Sequence, residues 1–169
     1  PVTFATDLVG WYAVHVNAND IAACGGDPRW FMATVFLPEG SSPDVAEKIF
    51  EQIRDAAQAI DVSLVGGHTE VTLDLPRPIV CGTMLGEAAR DAPIATSGAQ
   101  QGDAIVLTKG VAIEGAALLA REMSSRLGAT GMSRSALERA ANYLFDPGIS
   151  VVPEARVARS NSGVHAMHD

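Results

Sequence analysis

The chain has 169 residues, which is room for one ordinary domain or two small ones. Hydrophobic residues make up 47% and aromatic residues 5%, so we expect an ordered core built from Ala, Val, Leu and Ile, not a disordered chain. The formal net charge is −8 and no cluster of Lys and Arg interrupts that acidity, which argues against a nucleic-acid-binding or anionic-membrane-binding surface.

The first half of the sequence alternates apolar helical and strand patterns. In chain order we predict a helix over 8–24 that starts at Thr6-Asp7, a strand over 29–37 buried on both faces, a helix over 43–60 capped by Ser42, and strands over 62–65, 70–75 and 78–85.

The second half follows a polar, turn-rich stretch over 91–102, which we take as the boundary between two domains. We predict a strand over 103–107, helices over 113–126, 133–145 and 150–159, and the start of a strand over 164–167. Strands alternate with helices in both halves, so the predicted fold class is α/β (α+β).

Cysteines, apolar runs and chain ends give further expectations. Cys24 and Cys81 are too few for a disulfide scaffold or a structural zinc site, and we expect buried, reduced thiols in a cytoplasmic protein. No apolar run reaches the roughly 20 residues that span a bilayer, and no basic signal-peptide region opens the chain. The chain lacks an initiator Met and stops abruptly at Asp169, which predicts that it is part of a longer protein.

Polar residues interrupt the first predicted helix. Asn17 and Asp20 are three residues apart and share one face, with Asn19 between them. Amides and carboxylates are poor residues inside a helix unless they have partners. Two interpretations stay open: a carboxylate site for a hard cation such as Mg²⁺, or a solvated stripe on a surface helix.

A second candidate site follows the strand over 62–65. Gly66 and Gly67 let backbone N–H groups approach a phosphate closely, and His68 and Thr69 can donate to phosphate oxygens. Glu70 can hold a metal or act as a base. Taken alone, the pattern is a weak signal, and a hairpin turn whose polar residues face water explains it better.

Two weaker candidates lie in the second half. Leu107-Thr108-Lys109-Gly110 is not a Walker A loop, and a plain strand-to-helix connection explains it better than an anion site. His165 and His168 point to opposite faces of a strand, so a shared zinc is disfavoured, while Asp169 at the strand's end is better placed as a ligand.

Taken in order, these motifs resemble the aminoimidazole ribonucleotide (AIR) synthetase superfamily. The ordered set is Thr6-Asp7-Leu8-Val9-Gly10, Asn19-Asp20, Val65-Gly66-Gly67-His68-Thr69, Leu107-Thr108-Lys109-Gly110 and Met167-His168-Asp169. The superfamily includes selenophosphate synthetase, thiamine-monophosphate kinase and the hydrogenase-maturation protein HypE, and the likeness is greatest to its AIR-synthase-related, HypE-like branch. The resemblance implies a PurM-like two-domain fold, each domain a β-sheet covered by helices, with both domains incomplete in this chain.

The resemblance also implies domain limits and site residues. Residues 1–89 would be the later part of an N-terminal ATP-binding and dimerisation domain, and residues 94–169 the first part of a C-terminal domain. Asp20 and Asp169 would hold Mg²⁺ on the nucleotide. Asn19 and the turn Gly66, Gly67, His68 and Thr69 would contact ATP. No catalytic residue follows from the likeness, and the roles of Glu70, Thr108 and Lys109 stay open.

The implied function is ATP- and Mg²⁺-dependent phosphoryl transfer to, or activation of, a small-molecule acceptor, by a homodimer joined through the N-terminal domains. The alternative is a non-catalytic nucleotide-binding or scaffold protein that keeps the fold and the dimer surface. A further possibility is that this stretch of chain is inactive alone, because parts of its site lie beyond both ends.

Overall fold

The computed structural model describes residues 2–3, 7–90 and 93–169. The elements in chain order are β1 (Val2–Thr3), α1 (Val9–Ala23), β2 (Asp27–Pro38), α2 (Pro43–Ala59), β3 (Ser63–Thr72), β4 (Ile79–Glu87), α3 (Ile113–Glu122), α4 (Ser124–Ala129), α5 (Arg134–Asn142) and α6 (Val152–Arg159). Single turns of other helix types occur at Thr96–Gly98 and Leu144–Gly148. Thr6 and Asp91, the first residues of a predicted helix start and of the predicted boundary, lie outside the described residues.

Strands β1 to β4 form one mixed sheet in the order β1-β4-β2-β3. β2 pairs antiparallel with β4 and parallel with β3, and α2 makes the crossover that a parallel pair requires. The predicted strands over 62–65 and 70–75 are in fact one strand, β3, because residues 66–72 continue the pairing with β2.

The hydrophobic core lies between this sheet and the helices α1 and α2. Phe31 and Val35 of β2 and Val80 of β4 are fully buried on the helix side. They form one cluster with inward residues of the two helices: Ala13, Val14, Ala18, Ile49, Ile53 and Ala56. α1 is apolar around most of its circumference because it contacts α2, β2 and β4, and also α6.

The other face of β2 is open in the described chain, so the prediction of a strand buried on both faces was wrong. Trp30 and Met32 point away from the helices and are 38% and 37% exposed. Leu85, paired with Trp30 on β4, is 50% exposed. The sequence of β2 is a nearly continuous apolar run because large apolar side chains lie on both of its faces. Helices cover only one of those faces.

Gly10 sets how closely the two core helices approach each other. A Cβ atom at this position would lie 2.6 Å from the carbonyl oxygen of Ile49. The backbone N–H of Gly10 instead donates to Oε1 of Gln52 at 3.0 Å. α1 therefore tolerates a glycine in its first turn because α2 occupies the space of the missing side chain.

A separate compact unit, Ala104–Ile149, holds α3, α4 and α5. Ala117, Ala120, Leu144 and Ile149 are its buried residues. The predicted strand over 103–107 is absent: this stretch has no strand pairing among the described residues, and Ile105 is fully exposed. The predicted helix over 113–126 is broken at Met123, which has ψ 21°, outside the helical range.

The other compact unit combines Pro1–Asp103 with Ser150–Asp169. Helix α6 therefore packs with α1 and the sheet, through the buried side chains of Val152 and Ala155. The predicted strand over 164–167 does not form, although Met167 packs against the core. The family-based limits at 89 and 94 describe a longer protein, and they stay a prediction.

Candidate functional site

The polar residues of α1 divide between two environments. Asn17 and Asn19 are buried, at 2% and 5% exposure, whereas Asp20 is exposed. Nδ2 of Asn17 donates to the carbonyl oxygen of Ala13 at 2.7 Å. Asn17 and Asp20 therefore lie in different environments, although a common face was predicted for them. The two asparagines are buried, so they do not belong to a solvated stripe.

Asn19 holds the start of α6. Its Oδ1 accepts the backbone N–H of Val151 at 2.9 Å. Val151 is the N-cap residue of α6, where N–H groups lack partners within the helix. The side chain is thus committed, at this oxygen, to a contact inside the protein.

Asp20 lies close enough to Asp169 for the two carboxylates to repel each other. Partial burial raises the pKa of Asp20 above its ordinary value, and the charge of Asp169 raises it further. The charge of Asp169 thus acts on Asp20, and these are the two residues that the sequence analysis named as metal ligands. Two carboxylates whose negative charges are unfavourable together are a suitable setting for a hard divalent cation.

Gly66, Gly67, His68 and Thr69 do not form the predicted turn; they lie within strand β3. Phe31 pairs with Leu64 and Met32 pairs with Gly66, so Val65 is an extra residue that makes a β-bulge. A Cβ atom at Gly67 would overlap the carbonyl oxygen of Ala33. Gly67 is needed here for a close approach between strands, whereas Gly66 has room for a Cβ atom. In the sequence alone, this pair of glycines resembles a turn signal.

A shallow groove of about 530 Å³ runs along this part of β3. Its walls come from β2, α2 and β3: Ala33, Phe50, Ile53, Leu64, Gly66, Gly67, His68 and Thr69. Four of the predicted nucleotide-binding residues therefore line one concave surface. β3 is the last strand in the sheet order, so the edge beside this groove is not paired with another described strand.

His68 and Glu70 form an exposed pair on the open side of the sheet. Nε2 of His68 lies 3.0 Å from Oε2 of Glu70. Their partners in β2 are Thr34 and Phe36, which alternate with the buried Val35. Because side chains alternate between the two faces of a strand, Glu70 lies on the face away from α2 and Thr69 lies on the face toward α2.

The weaker candidates are engaged elsewhere. Nζ of Lys109 donates to the carbonyl oxygen of Gly148 at 3.1 Å, within its own compact unit. His165 Nδ1 lies 2.8 Å from Asp103 Oδ1 and His168 Nδ1 lies 2.7 Å from the carbonyl oxygen of Asp169. Across residues 2–3, 7–90 and 93–169, no three His, Cys, Asp or Glu side chains converge as a ready-made metal site.

Sequence reasoning missed the ion cluster that fastens α6. Nε of Arg156 donates to Asp27 at 2.9 Å, and Arg159 donates both to Asp27 and to the carbonyl oxygen of Gly25. Burial favours the neutral form of Asp27, but the hydrogen bonds from Arg159 and Arg156 outweigh it and hold the pKa of Asp27 below its ordinary value. Contacts between residues so far apart in sequence leave no local pattern to detect.

The cysteines and the helices complete the survey. Cys24 and Cys81 are free thiols, as expected, but Cys24 is exposed and Cys81 is half-buried, so the expectation of burial was wrong. None of the helices in the described ranges has the length and apolar character needed to cross a membrane.

Comparison with known proteins agrees with the fold described above. The profile of the family "AIR synthase related protein, N-terminal domain" matches residues 1–88. The thiamine-monophosphate kinase of Archaeoglobus fulgidus is 30% identical over 172 residues, which cover 100% of this chain and 52% of that protein. The carbamoyl dehydratase HypE of Cupriavidus necator is 31% identical over 161 residues, covering 94% of this chain and 45% of that protein.

Solved structures show the same architecture. The thiamine-monophosphate kinase of Stenotrophomonas maltophilia superimposes with a TM-score of 0.73 at 26% identity, covering 94% of this chain and 48% of that one. A hydrogenase maturation protein HypE in complex with ATP gives a TM-score of 0.54 at 25% identity, over 60% of this chain and 35% of that one. The chain thus spans about a third to a half of the proteins it matches, and its sheet and helices are part of a PurM-like fold.

Proposed function

Because this chain belongs to the AIR synthase related protein family, we propose that the complete protein is an ATP- and Mg²⁺-dependent enzyme that transfers a phosphoryl group to, or activates, a small-molecule acceptor. Its relatives carry the names thiamine-monophosphate kinase, carbamoyl dehydratase HypE and selenide, water dikinase. The HypE structure that contains ATP supports the choice of nucleotide.

The observation that carries this proposal is the approach of Asp169 to Asp20. Both carboxylates are on the surface of the unit that contains the sheet, and partial burial together with the charge of Asp169 raises the pKa of Asp20. Mg²⁺ usually takes one or two carboxylates and completes its shell with water and phosphate oxygens. The donor set therefore fits Mg²⁺ carried by a nucleotide, which would neutralise phosphate charge during transfer.

The groove along β3 is the proposed place of contact with ATP. Gly66 and Gly67 carry no side chains that would keep a ligand from the backbone. Thr69 adds a hydroxyl to the same surface, and His68 also lines the groove. In an acidic protein, backbone N–H groups and a hydroxyl would hold phosphate without a cluster of Lys or Arg.

We assign the open face of the sheet to a homodimer. Trp30, Met32 and Leu85 expose apolar surface on neighbouring strands, which is typical of an interface more than of a solvated face. Val2 of β1 extends the same surface beside Cys81 of β4. A second copy with the same apolar face is self-complementary in the way that two-fold dimers require.

Calorimetric titration with Mg·ATP, with and without EDTA, tests the proposed function on this chain and on the complete protein. We expect Mg²⁺-dependent binding that is lost in Asp20→Ala and kept in Glu51→Ala, which removes an exposed carboxylate from α2. Thermal unfolding of the variants should show little change, because Asp20 is exposed. Binding that survives in Asp20→Ala would contradict the metal assignment, and no binding to the complete protein would favour the scaffold function.

A further inference from the structure

The asparagine beside the proposed metal ligand points into the protein. Asn19 and Asp20 are consecutive in α1, yet Asn19 is 5% exposed while Asp20 reaches solvent. The Oδ1 atom of Asn19 accepts the N–H of Val151 at 2.9 Å. An oxygen that already satisfies a helix N-terminus is poorly placed to bind a nucleotide as well.

Helix α6 is fastened to the sheet unit at both of its ends. Asn19 holds the start, and Arg159 holds the end through Asp27 and the carbonyl oxygen of Gly25. Between these points the buried side chains of Val152 and Ala155 pack into the core that α1 shares with the sheet. The position of α6 is therefore set by α1 and by Gly25 and Asp27, which follow α1 in the chain.

The segment that ends at Asp169 follows α6 in the chain and packs on the same unit. Residues 160–163 are all that separate the end of α6 from Val164, and Met167 packs against the same core. His165 adds a hydrogen bond to Asp103. The segment 164–169, which ends at the second proposed metal ligand, thus follows a helix whose start is held by the residue next to Asp20.

We propose that Asn19 is a positioning residue: by binding the N–H of Val151 it seats α6 on α1 and so fixes Asp169 beside Asp20. This inference rests on the proposed metal site, and it replaces the direct contact between Asn19 and ATP that the family resemblance implies. Residues that orient metal ligands without touching the metal typically contribute about 10–100-fold to metal affinity.

Amide hydrogen exchange and Mg·ATP titration of three variants test the inference. Asn19→Ala removes the acceptor at the start of α6, and Arg159→Met breaks the other attachment while keeping an apolar stem. Ile53→Val, in the core beneath α2, is the control for general destabilisation. We expect the first two variants to exchange about tenfold faster in α6 and in 164–169, with α2 unchanged.

In the same variants we expect Mg·ATP to bind about 10–100-fold more weakly, with wild-type affinity in Ile53→Val. Weaker binding in Asn19→Ala without faster exchange in α6 would overturn the inference, because it would show direct contact with the ligand. Wild-type affinity in Asn19→Ala would overturn it too. Faster exchange in 164–169, in a protein that binds no Mg·ATP at all, would support the seating of α6 and contradict the proposed function alone.

Discussion

The guanidinium of Arg159 donates to the carboxylate of Asp27, which lies 132 residues earlier in the chain. Arg156 donates to the other oxygen of the same carboxylate at 2.9 Å. The Asp27 side chain is 21% exposed and that of Arg159 28%, so the pair is partly shielded from water. A partly buried carboxylate that accepts from two guanidinium groups makes stronger contacts than an ordinary surface ion pair.

This cluster predicts a specific acid sensitivity. Because the pKa of Asp27 is lowered in the folded protein, its contribution to stability is present above the pKa of the unfolded chain and is lost as the pH falls through the folded value. We expect Asp27→Asn to lower stability by about 1–2 kcal/mol at pH 7 and to make the loss below about pH 5 shallower. Thermal unfolding between pH 7 and pH 3 measures both effects.

Glu87→Gln is the matched control for that experiment. Oε2 of Glu87 lies 3.4 Å from Nε of Arg29, and both side chains are well exposed. An exposed pair contributes about 0–1 kcal/mol, so this variant should follow the wild-type pH profile. A pH profile of Asp27→Asn that is parallel to that of the wild type would show that the cluster does not stabilise the fold.

The two adjacent glycines in β3 should differ in how much an alanine substitution destabilises the protein. We expect Gly67→Ala to destabilise by about 1–3 kcal/mol, because its Cβ would overlap the carbonyl oxygen of Ala33. At Gly66 the nearest atom to a Cβ is Cγ of Met32 at 3.9 Å, so Gly66→Ala should be tolerated. Urea denaturation of both variants checks this, and equal midpoints would contradict the close approach of Gly67 to Ala33.

Two serines that precede helices also differ in how much their side chains stabilise the protein. The side chain of Ser133 accepts the backbone N–H of Ala136 at 3.2 Å, whereas Ser42 makes no capping bond from its side chain. We expect Ser133→Ala to destabilise the unit Ala104–Ile149 by about 1 kcal/mol and Ser42→Ala to have a smaller effect. Hydrogen exchange of α5 and α2 reports on each helix separately; a larger loss of protection in α2 would refute the assignment.

The proposed dimer surface can be disrupted by one charge. Met32 is 37% exposed at the middle of the open face, on the strand between β4 and β3. We expect Met32→Glu to weaken self-association at least about tenfold, because a buried carboxylate without a partner is costly. Sedimentation equilibrium of Met32→Glu and of Val157→Glu, a change on exposed surface of α6, separates the interface from a general charge effect. Equal masses for the two variants would contradict the assignment.

Much of the fold was predictable because its signals are local. α1, α2, β2, β4 and α5 follow from apolar spacing. The capping role predicted for Ser42 was wrong, because its side chain makes no capping bond, whereas Ser133 caps α5 without having been predicted to do so. The strand predicted over 103–107 failed because an apolar run forms a strand only where another strand pairs with it, and none of the described strands does. The helix over 113–126 failed at Met123, where no Gly or Pro marks the break.

The residues of the candidate site stay a prediction, and the geometry around them could not be predicted from the sequence. Asp20 and Asp169 were named from the order of the motifs, and in the structure burial and then the charge of Asp169 raise the pKa of Asp20. Gly66 and Gly67 suggested a turn because pairs of glycines usually end strands, whereas here the close neighbour is Ala33. The commitment of Asn19 to Val151 has no counterpart in local sequence, because it depends on how two distant segments pack.

The sheet unit is discontinuous along the chain, since Ala104–Ile149 separates its two parts. During synthesis, β1 to β4 with α1 and α2 are complete long before α6 has emerged from the ribosome. Until then Asp27 lacks both arginines, and the core positions next to Val152 and Ala155 stay open. Stopping translation anywhere before residue 152 would leave this nascent unit without its last core helix, however complete its sheet.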